Sequence, residues 1–199
     1  GAGNILGAEQ HGFIAAVGFD LYVKLLDQAV AALKNDKVEQ KINPRLELQI
    51  SAYLPSSYIS AQDQKVDLYQ RIYNALSLEE LAELQSEMVD RYGSPPEPVG
   101  NLLSASEIRI QATGLGIESI LQQQKGITLQ FQHKADFNLE QLKKICAANA
   151  AGITFSAAKN LVINLKIKEK AVSPLSKLTA FIAELTALQE QSAGSSKAI

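Results

Sequence analysis

The sequence predicts an α+β fold, in which one strand and two β-hairpins build a sheet and several helices pack on it. Residues 45–54 alternate strictly between apolar and polar side chains, which is typical of a half-buried strand. The last third of the chain shows the order strand, strand, helix twice. Between these regions, residues 61–113 contain three apolar patterns with the helical period, so we expect them to form a second layer beside the sheet.

The first 43 residues differ from the rest in their pattern. Residues 1–12 are rich in glycine and aperiodic, whereas the run from Gly18 to Leu33 is typical of an amphipathic helix. A polar stretch at 35–43, followed by Pro44, predicts a domain boundary. We therefore expect one module at 1–43 and a second at 44–199, in which the small, polar residues 191–199 form a frayed tail.

The strand at 45–54 should end before Pro55, and Ser60 should cap a helix that runs to about Leu76. A later helix should follow the Pro95-Pro96 pair and break at Gly114. The side chains expected to face inward on these elements are Leu46, Leu48, Ile50, Ala52 and Leu54, then Val66, Tyr69, Ile72, Tyr73 and Leu76, then Val99, Leu102, Leu103 and Ile110.

The segment from Ser77 to Pro98 has the clearest pattern in the chain. Ser77 followed by Glu80 forms a capping box, and Gly93 after the last periodic residue places the end of the helix at Tyr92. Its apolar side carries Leu78, Leu81, Leu84, Met88, Val89 and Tyr92, and its polar side carries Glu79, Glu80, Glu83, Glu87, Asp90 and Arg91. Glu87 lies four residues after Glu83 and three before Asp90, and each of these like-charge pairs costs roughly 0.2–0.5 kcal/mol. The acidic side is therefore either a solvated face or a docking surface for a basic partner.

The two hairpins should turn at Lys125-Gly126 and at Lys159-Asn160, and a helix should follow each of them. The expected strands are 117–124 with 127–133 and 153–158 with 161–167, and the expected helices begin at Asn138 and at Ser173-Pro174. The repeated strand–strand–helix order is either a true duplication or a chance similarity within one sequence.

Composition narrows the classes of function. A net charge of −2 provides no overall attraction for nucleic acid or anionic membrane. The single cysteine excludes an internal disulfide framework and suits a reducing cytoplasm, and with only two histidines a His/Cys metal site is disfavoured. The sequence contains no GxxxxGK[ST], GxSxG, HExxH or CxxC motif. These residues alone indicate a cytoplasmic α+β interaction domain.

Three segments together resemble a known family. The segment GAGNILGAEQHGFIAAVGFDLYVKLLDQAV resembles the end of the translocation motif that RecG-like helicases share with transcription-repair coupling factors. The segments LQISAYLPSSYI and ELQSEMVDRYGSPPEPVGNLL are similar to the C-terminal domain of the coupling factors in particular. The resemblance covers essentially the whole chain in the right order, and it identifies the chain as a C-terminal fragment from that family.

The resemblance implies that the full protein is an ATP-driven translocase on double-stranded DNA. Such a protein removes RNA polymerase stalled at a lesion and recruits nucleotide excision repair through UvrA. ATP and magnesium would serve the motor, whose ATPase motifs lie upstream of Gly1 in the family. Gln10 matches the glutamine that helps to couple hydrolysis to DNA movement, but the motif's arginine precedes Gly1. We therefore expect no enzymatic activity and no cofactor for this fragment.

The resemblance also implies that the C-terminal domain is autoinhibitory. It would fold back on an N-terminal module that resembles UvrB and would hide the surface that UvrA binds. Glu87, Asp90 and Arg91 match this regulatory contact, which favours the docking interpretation of the acidic helix side. The alternative is a DNA-contacting accessory domain of the same motor. The net charge of −2 disfavours that alternative, because affinity for DNA depends on neutralising several phosphates.

Overall fold

The computed structural model of the chain describes residues 44–123, 126–132, 139–148, 152–157, 160–167 and 173–196. In order, the elements are β1 (Arg45–Glu47), α1 (Gln62–Asn74), α2 (Leu78–Tyr92), α3 (Glu97–Gly114), β2 (Ile117–Gln123), β3 (Gly126–Phe131), α4 (Leu139–Ala148), β4 (Ile153–Ser156), β5 (Val162–Lys166) and α5 (Pro174–Ser196). The fold is α+β, as predicted. Gln10, the helix expected at 18–33, and His133 at the end of the first expected hairpin lie outside the described residues.

The contacts within the chain define two units. Among the described residues, the first unit holds 47–110, and the second holds 44–46 and everything from 111 onward. Helices α1 and α2 and most of α3 therefore belong to one unit, whereas the sequence predicted that the three-helix run forms a layer of a single domain at 44–199. The boundary predicted at residue 43 lies outside the described residues and stays a prediction.

The core of the first unit collects apolar side chains from all three helices and from the segment before α1. Its buried members are Ala52, Leu54, Ile59, Leu68, Tyr69, Ile72, Ala75, Leu81, Leu84, Met88, Val99, Leu102 and Leu103. Ile110 packs against this core but is only partly buried. Burying a large apolar side chain contributes roughly 1.5–3 kcal/mol, so this cluster outweighs every polar contact of the unit.

Helix α2 begins and ends where its sequence predicts. The Ser77 hydroxyl accepts a hydrogen bond from the N–H of Glu80 at 3.2 Å, and the Glu80 carboxylate accepts one from the N–H of Leu76 at 2.9 Å. Gly93 has φ of 82°, a backbone conformation that glycine adopts without strain, and its N–H closes the last turn on the carbonyl of Val89. The Ser77 cap is therefore confirmed, whereas the Glu80 carboxylate accepts from the N–H of Leu76, the residue before the cap, and not from that of Ser77.

The strand predicted at 45–54 is wrong in length, because only Arg45–Glu47 joins the sheet. The alternation of burial continues, with Leu46, Ala52 and Leu54 all buried. The backbone beyond Glu47 is satisfied elsewhere: the N–H of Tyr53 donates to the carbonyl of Pro98, and the carbonyl of Ser51 accepts from the Asn101 side chain. The alternation thus predicted the burial of Leu46, Ala52 and Leu54 correctly, whereas Leu48 and Ile50 are only partly buried. It did not predict the hydrogen-bond partners of this segment.

The start and the inward face of α1 also differ from the prediction. Ala61 rather than Ser60 precedes the first turn, with no side-chain cap. Lys65 is buried in place of Val66, because its ammonium donates to the Ser56 hydroxyl at 2.8 Å while its aliphatic stem lies inside.

The end of α1 is fixed from α3. Arg109, which is buried, donates to the carbonyls of Ile72 and Ala75 at 3.3 and 2.9 Å. A guanidinium at this position satisfies carbonyls that the last turn leaves without an intrahelical donor. The helix stops at Asn74, and Leu76, which was expected to face inward, is 59% exposed.

The second unit contains a five-stranded sheet with the order β1-β2-β3-β5-β4. The pairs β2–β3, β3–β5 and β4–β5 are antiparallel, so both predicted hairpins are confirmed. The first turn is misplaced by one residue in the prediction, because Gly126 already belongs to β3 and pairs with Gln123. Ile120 pairs with Leu129, and Leu129 pairs with Ile163, so these three buried residues form a row across the sheet. The order strand, strand, helix occurs twice, as β2-β3-α4 and as β4-β5-α5, with β3 and β5 adjacent at the centre.

Helix α5 buries the face that its sequence predicts, namely Leu175, Leu178, Phe181, Ile182 and Leu185, whereas Leu188 is half-buried. The helix continues to Ser196, so the frayed tail expected from residue 191 is wrong for residues 191–196. One glycine among alanine, glutamine and serine costs about 1 kcal/mol, which does not end a helix of this length. No helix in the described parts of the chain is long and apolar enough to cross a membrane.

Gly126 at the start of β3 is required by the close approach of β5. A Cβ at this position would overlap the carbonyl oxygen of Leu165, which belongs to the backbone of the neighbouring strand and cannot turn aside as a side chain would. By contrast, a Cβ at Gly100 in α3 would meet no atom within 4 Å.

Gly126→Ala should therefore lower the free energy of unfolding by roughly 1–3 kcal/mol, which is typical of forced overpacking. Gly100→Ala is the matched control and should raise it by roughly 0.4–1 kcal/mol, because alanine restricts the unfolded chain and fits a helix. Urea denaturation followed by circular dichroism measures both. Equal stability of Gly126→Ala and wild type would contradict the close approach of β5.

Candidate docking surface on helix α2

Burial of one side of α2 fixes the direction of all its other side chains. Leu81, Leu84 and Met88 are 2%, 5% and 1% exposed and belong to the core. At 100° per residue these three side chains span about 60° of the helix circumference. The predicted contact residues Glu87, Asp90 and Arg91 consequently point away from the core, Glu87 partly exposed and the other two exposed.

The structure separates these three residues into two groups. Glu87 and Arg91 lie together on the flank of α2 that meets α1, where Arg71 joins them. Nη1 of Arg71 donates to Oε1 of Glu87 at 3.1 Å, and its Nη2 donates to Oε2 at a shorter distance. Nη1 of Arg91 donates to Oε1 of Glu87 at 2.9 Å. We call Arg71, Glu87 and Arg91 the arginine clamp.

The clamp corrects the expectation that Glu87 is locally unfavourable on α2. Its carboxylate receives a two-pronged bond from an arginine of another helix, which offsets repulsion from neighbouring acidic groups. Sequence analysis missed Arg71 because the contact spans 16 residues and depends on how α1 and α2 pack. The available signal was a basic residue in the last turn of α1.

The ionisation of the clamp follows from this geometry. Hydrogen bonds from Arg71 and then Arg91 lower the pKa of Glu87 to about 2. The hydrogen bond to Glu87 raises the pKa of Arg71 in turn. A second carboxylate, that of Asp67, lies 3.9 Å from Arg71, so two arginines and two acidic groups balance each other at neutral pH. All of these groups are at least partly exposed, so salt weakens their attraction.

Aromatic contacts hold the C-terminal end of α2 in place. The guanidinium of Arg91 lies 5.2 Å from the ring centre of Tyr92, and the rings of Tyr92 and Tyr58 are 5.8 Å apart. The hydroxyl of Tyr58 donates to the carbonyl of Gly93 at 3.0 Å. Since Tyr58 belongs to the loop before α1, these contacts tie the last turn of α2 to that loop and orient Arg91.

A shallow groove of about 180 Å³ lies between α1 and the end of α2, lined by Asp63, Gln64, Asp67, Leu68, Arg91 and Tyr92. The hydroxyl of Tyr92 donates a hydrogen bond across this groove to Oε1 of Gln64, with 3.2 Å between the two oxygens. This volume accommodates a side chain rather than a cofactor. Within the described ranges, no group of histidine, cysteine and acidic residues could hold a metal ion.

The far side of α2 carries Asp90 and two apolar residues that are not in the core. Leu78 and Val89 are each 40% exposed, which contradicts their expected inward position. Both lie about 60–80° beyond Leu81 on the helix circumference, at the margin of the apolar sector. The core covers only the side of that sector that holds Leu81, Leu84 and Met88, so its other margin remains at the surface beside Glu79, Glu83 and Asp90.

Comparison with known proteins gives consistent matches. Residues 48–142 match the family model described as TRCF domain. A transcription-repair-coupling factor of Bacillus subtilis is 34% identical over 175 residues, which is 86% of this chain and 15% of that protein. One from Staphylococcus epidermidis is 34% identical over 187 residues, again 86% of this chain and 16% of that protein. The chain therefore spans about a sixth of the length of these relatives.

A solved structure agrees with the sequence matches. The crystal structure of a C-terminal domain of transcription-repair coupling factor superposes with a TM-score of 0.63 at 27% identity. The superposition covers 75% of this chain and 95% of that one. The likeness therefore extends over nearly all of the solved domain.

The low pKa of Glu87 gives a direct test of the clamp. Because the folded-state pKa is about 2 and the ordinary value is 4.5, the clamp's contribution to stability is complete above pH 4.5 and is lost as the pH falls towards 2. Carbon-detected NMR titration of the Glu87 carboxyl should show this value. Arg71→Ala should raise it more than Arg91→Ala does, since Arg71 is the larger cause. An unchanged titration in Arg71→Ala would exclude the clamp in solution.

Proposed function

The chain belongs to the transcription-repair-coupling factor family and corresponds to the C-terminal domain of its members, and from this we propose that it is a regulatory protein-interaction domain. In this proposal it docks on the UvrB-like N-terminal module of its own protein and masks the surface that UvrA would bind. Release of the dock would then make that surface available. The domain itself would carry out no chemical step.

The wider protein supplies the activity in this proposal. We infer an ATP-dependent translocase on double-stranded DNA that removes stalled RNA polymerase and recruits nucleotide excision repair through UvrA. ATP and magnesium belong to that motor, and Gln10 would take part in its translocation motif. The described residues of this chain contribute contacts and charge to its control.

The observation that carries the proposal is the acidic, exposed outer side of α2. Residues 47–110 hold ten Asp and Glu against four Lys and Arg, and two of those four, Arg71 and Arg91, are engaged by Glu87. Such a surface attracts a basic protein partner and repels nucleic acid. The acidic side chains of α2 have fixed directions, because the burial of Leu81, Leu84 and Met88 in the core fixes the rotation of the helix.

The clamp assigns different roles to the three matched residues. Glu87 is engaged by Arg71 and Arg91, so its main effect is to hold α2 against α1. Asp90 forms no hydrogen bond or ion pair with any described residue and is available to a partner. Arg91 uses one guanidinium nitrogen for Glu87 and can offer the others to an acceptor on the partner.

Replacing Glu87, Asp90 and Arg91 by alanine should expose the UvrA-binding surface of the full-length protein. We expect UvrA to bind about tenfold more tightly than to wild type without DNA or polymerase, since paired charges across an interface are lost. Titration of labelled UvrA measures the change, and it should shrink as salt is raised.

Arg71→Ala is the matched control, because it breaks the clamp and leaves all three matched residues in place. Its effect should be smaller than that of the triple variant, with both variants folded by circular dichroism. Equal UvrA binding by the triple variant and wild type would exclude this face from the dock. An effect of Arg71→Ala as large as that of the triple variant would assign control to the packing of α1 on α2 alone.

One observation favours the second candidate, a DNA-contacting accessory domain. Residues 111–199 carry ten lysines against six Asp and Glu, so the acidic charge of the chain is not evenly spread. Lys143 and Lys144 on α4 are both exposed. Basic groups of this kind bind phosphates without regard to base sequence.

The isolated chain should nevertheless give no shift of double-stranded DNA in a gel at physiological salt. Six excess carboxylates between residues 47 and 110 oppose the lysines of the other unit. A shift that weakens with salt and disappears in Lys143→Glu/Lys144→Glu would establish the DNA-contacting role instead. Circular dichroism would show that this variant keeps its fold.

A further inference from the structure

Two parallel rows of exposed residues run along the outer side of α2. Leu78, Ala82, Gln85 and Val89, spaced by four, three and four, form one row that we call the Leu78 stripe. Glu79, Glu83 and Asp90 form the next row, about 100° further round the helix, which we call the acidic row. Both rows extend over 11 residues, or about 16 Å at 1.5 Å per residue. All seven of these residues are exposed.

The Leu78 stripe is an apolar surface left in water. Leu78 and Val89 account for two of the three exposed large apolar residues in the described parts of the chain, and the third, Leu76, lies just before α2. Single exposed apolar residues need no explanation, but two large ones in the same row of one helix are typical of a contact surface.

Two carboxylates of the acidic row, those of Glu83 and Asp90, have no counter-charge among the described residues. Neither forms a hydrogen bond or ion pair with any of these residues. The clamp on the opposite flank contrasts with this, since Glu87 there is bound by two arginines. Helix α2 thus keeps Glu83 and Asp90, which have no partner among the described residues, next to its exposed apolar row.

We propose that the Leu78 stripe and the acidic row together form the docking face for a partner surface of apolar side chains bordered by lysine or arginine. The partner's apolar side chains cover Leu78 and Val89, and its basic groups pair with Glu83 and Asp90. Charge complementarity selects this occupant, because a neutral apolar partner would leave carboxylates without counter-charges and an acidic one would be repelled.

This inference rests on the proposed function and adds to it the residues and the chemistry of the dock. The inference gives the three matched residues different tasks. Asp90 contacts the partner as part of the acidic row, whereas Glu87 and Arg91 hold α2 in position through the clamp. Leu78 and Val89, the apolar part of the docking face, are not among the three matched residues. A set of contact residues chosen by charge alone would therefore omit them.

The test is a titration of the separately expressed UvrB-like N-terminal module with this chain, followed by fluorescence anisotropy. Leu78→Ser/Val89→Ser removes the apolar row, and Glu83→Lys reverses the acidic row. Each should weaken binding at least about tenfold, as central interface residues do. Glu118→Lys, at an exposed acidic residue of β2, makes the same change of charge in the other unit and should alter binding less than about twofold.

The outcomes separate this inference from the proposed function. Binding by wild type that Leu78→Ser/Val89→Ser leaves unchanged, with the fold intact by circular dichroism, overturns this inference and leaves the regulatory role standing. Failure of the wild-type chain to bind the module overturns both. A wild-type dimer in sedimentation equilibrium that this double variant abolishes, with unchanged binding of the module, assigns the stripe to a second copy of the chain and likewise overturns the inference.

Discussion

The insertion of Leu81, Leu84 and Met88 into the core of the first unit is the constraint on which the rest of the surface depends. These side chains occupy only about 60° of the circumference of α2, yet they fix its rotation. Every other side chain of the helix then has a determined direction. The clamp, the acidic row and the Leu78 stripe are all consequences of this one packing choice. Changes on the outer side can therefore alter binding without changing the core.

The polar side of α2 carries two kinds of acidic group. Glu87 sits where α1 can reach it, and Arg71 and Arg91 neutralise it within the chain. Asp90 lies about 60° further round the helix, beyond the reach of the clamp. A helix with only paired carboxylates would leave none to bind a partner. A helix with only unpaired carboxylates would be destabilised by repulsion between them. Dividing them lets the same helix be held firmly and still present a net negative face.

How much the sequence predicted depends on the range of the interaction involved. Local signals were reliable: Ser77 and Gly93 fix the ends of α2, and both hairpins form as expected. Features set by tertiary contacts were not predictable. The strand at 45–54 stops at Glu47 because Pro98 and Asn101 take its later hydrogen bonds. Arg109 binds the carbonyls of Ile72 and Ala75 at the end of α1, and Arg71 pairs with Glu87. In each case the partner is more than ten residues away, so no local pattern records it.

At the candidate site, the sequence-based prediction failed because it averaged over a whole helix face or over the whole chain. The helical period placed Leu78 and Val89 with the core residues, because a period describes the whole apolar sector and not the part of it that other helices cover. The net charge of −2 is an average of the same kind. It hides six excess carboxylates in residues 47–110 and four excess lysines in residues 111–199. The charge that favours a basic protein partner and the charge that favours DNA therefore lie in different units. What decides function here is the local surface, because a partner meets one helix face at a time.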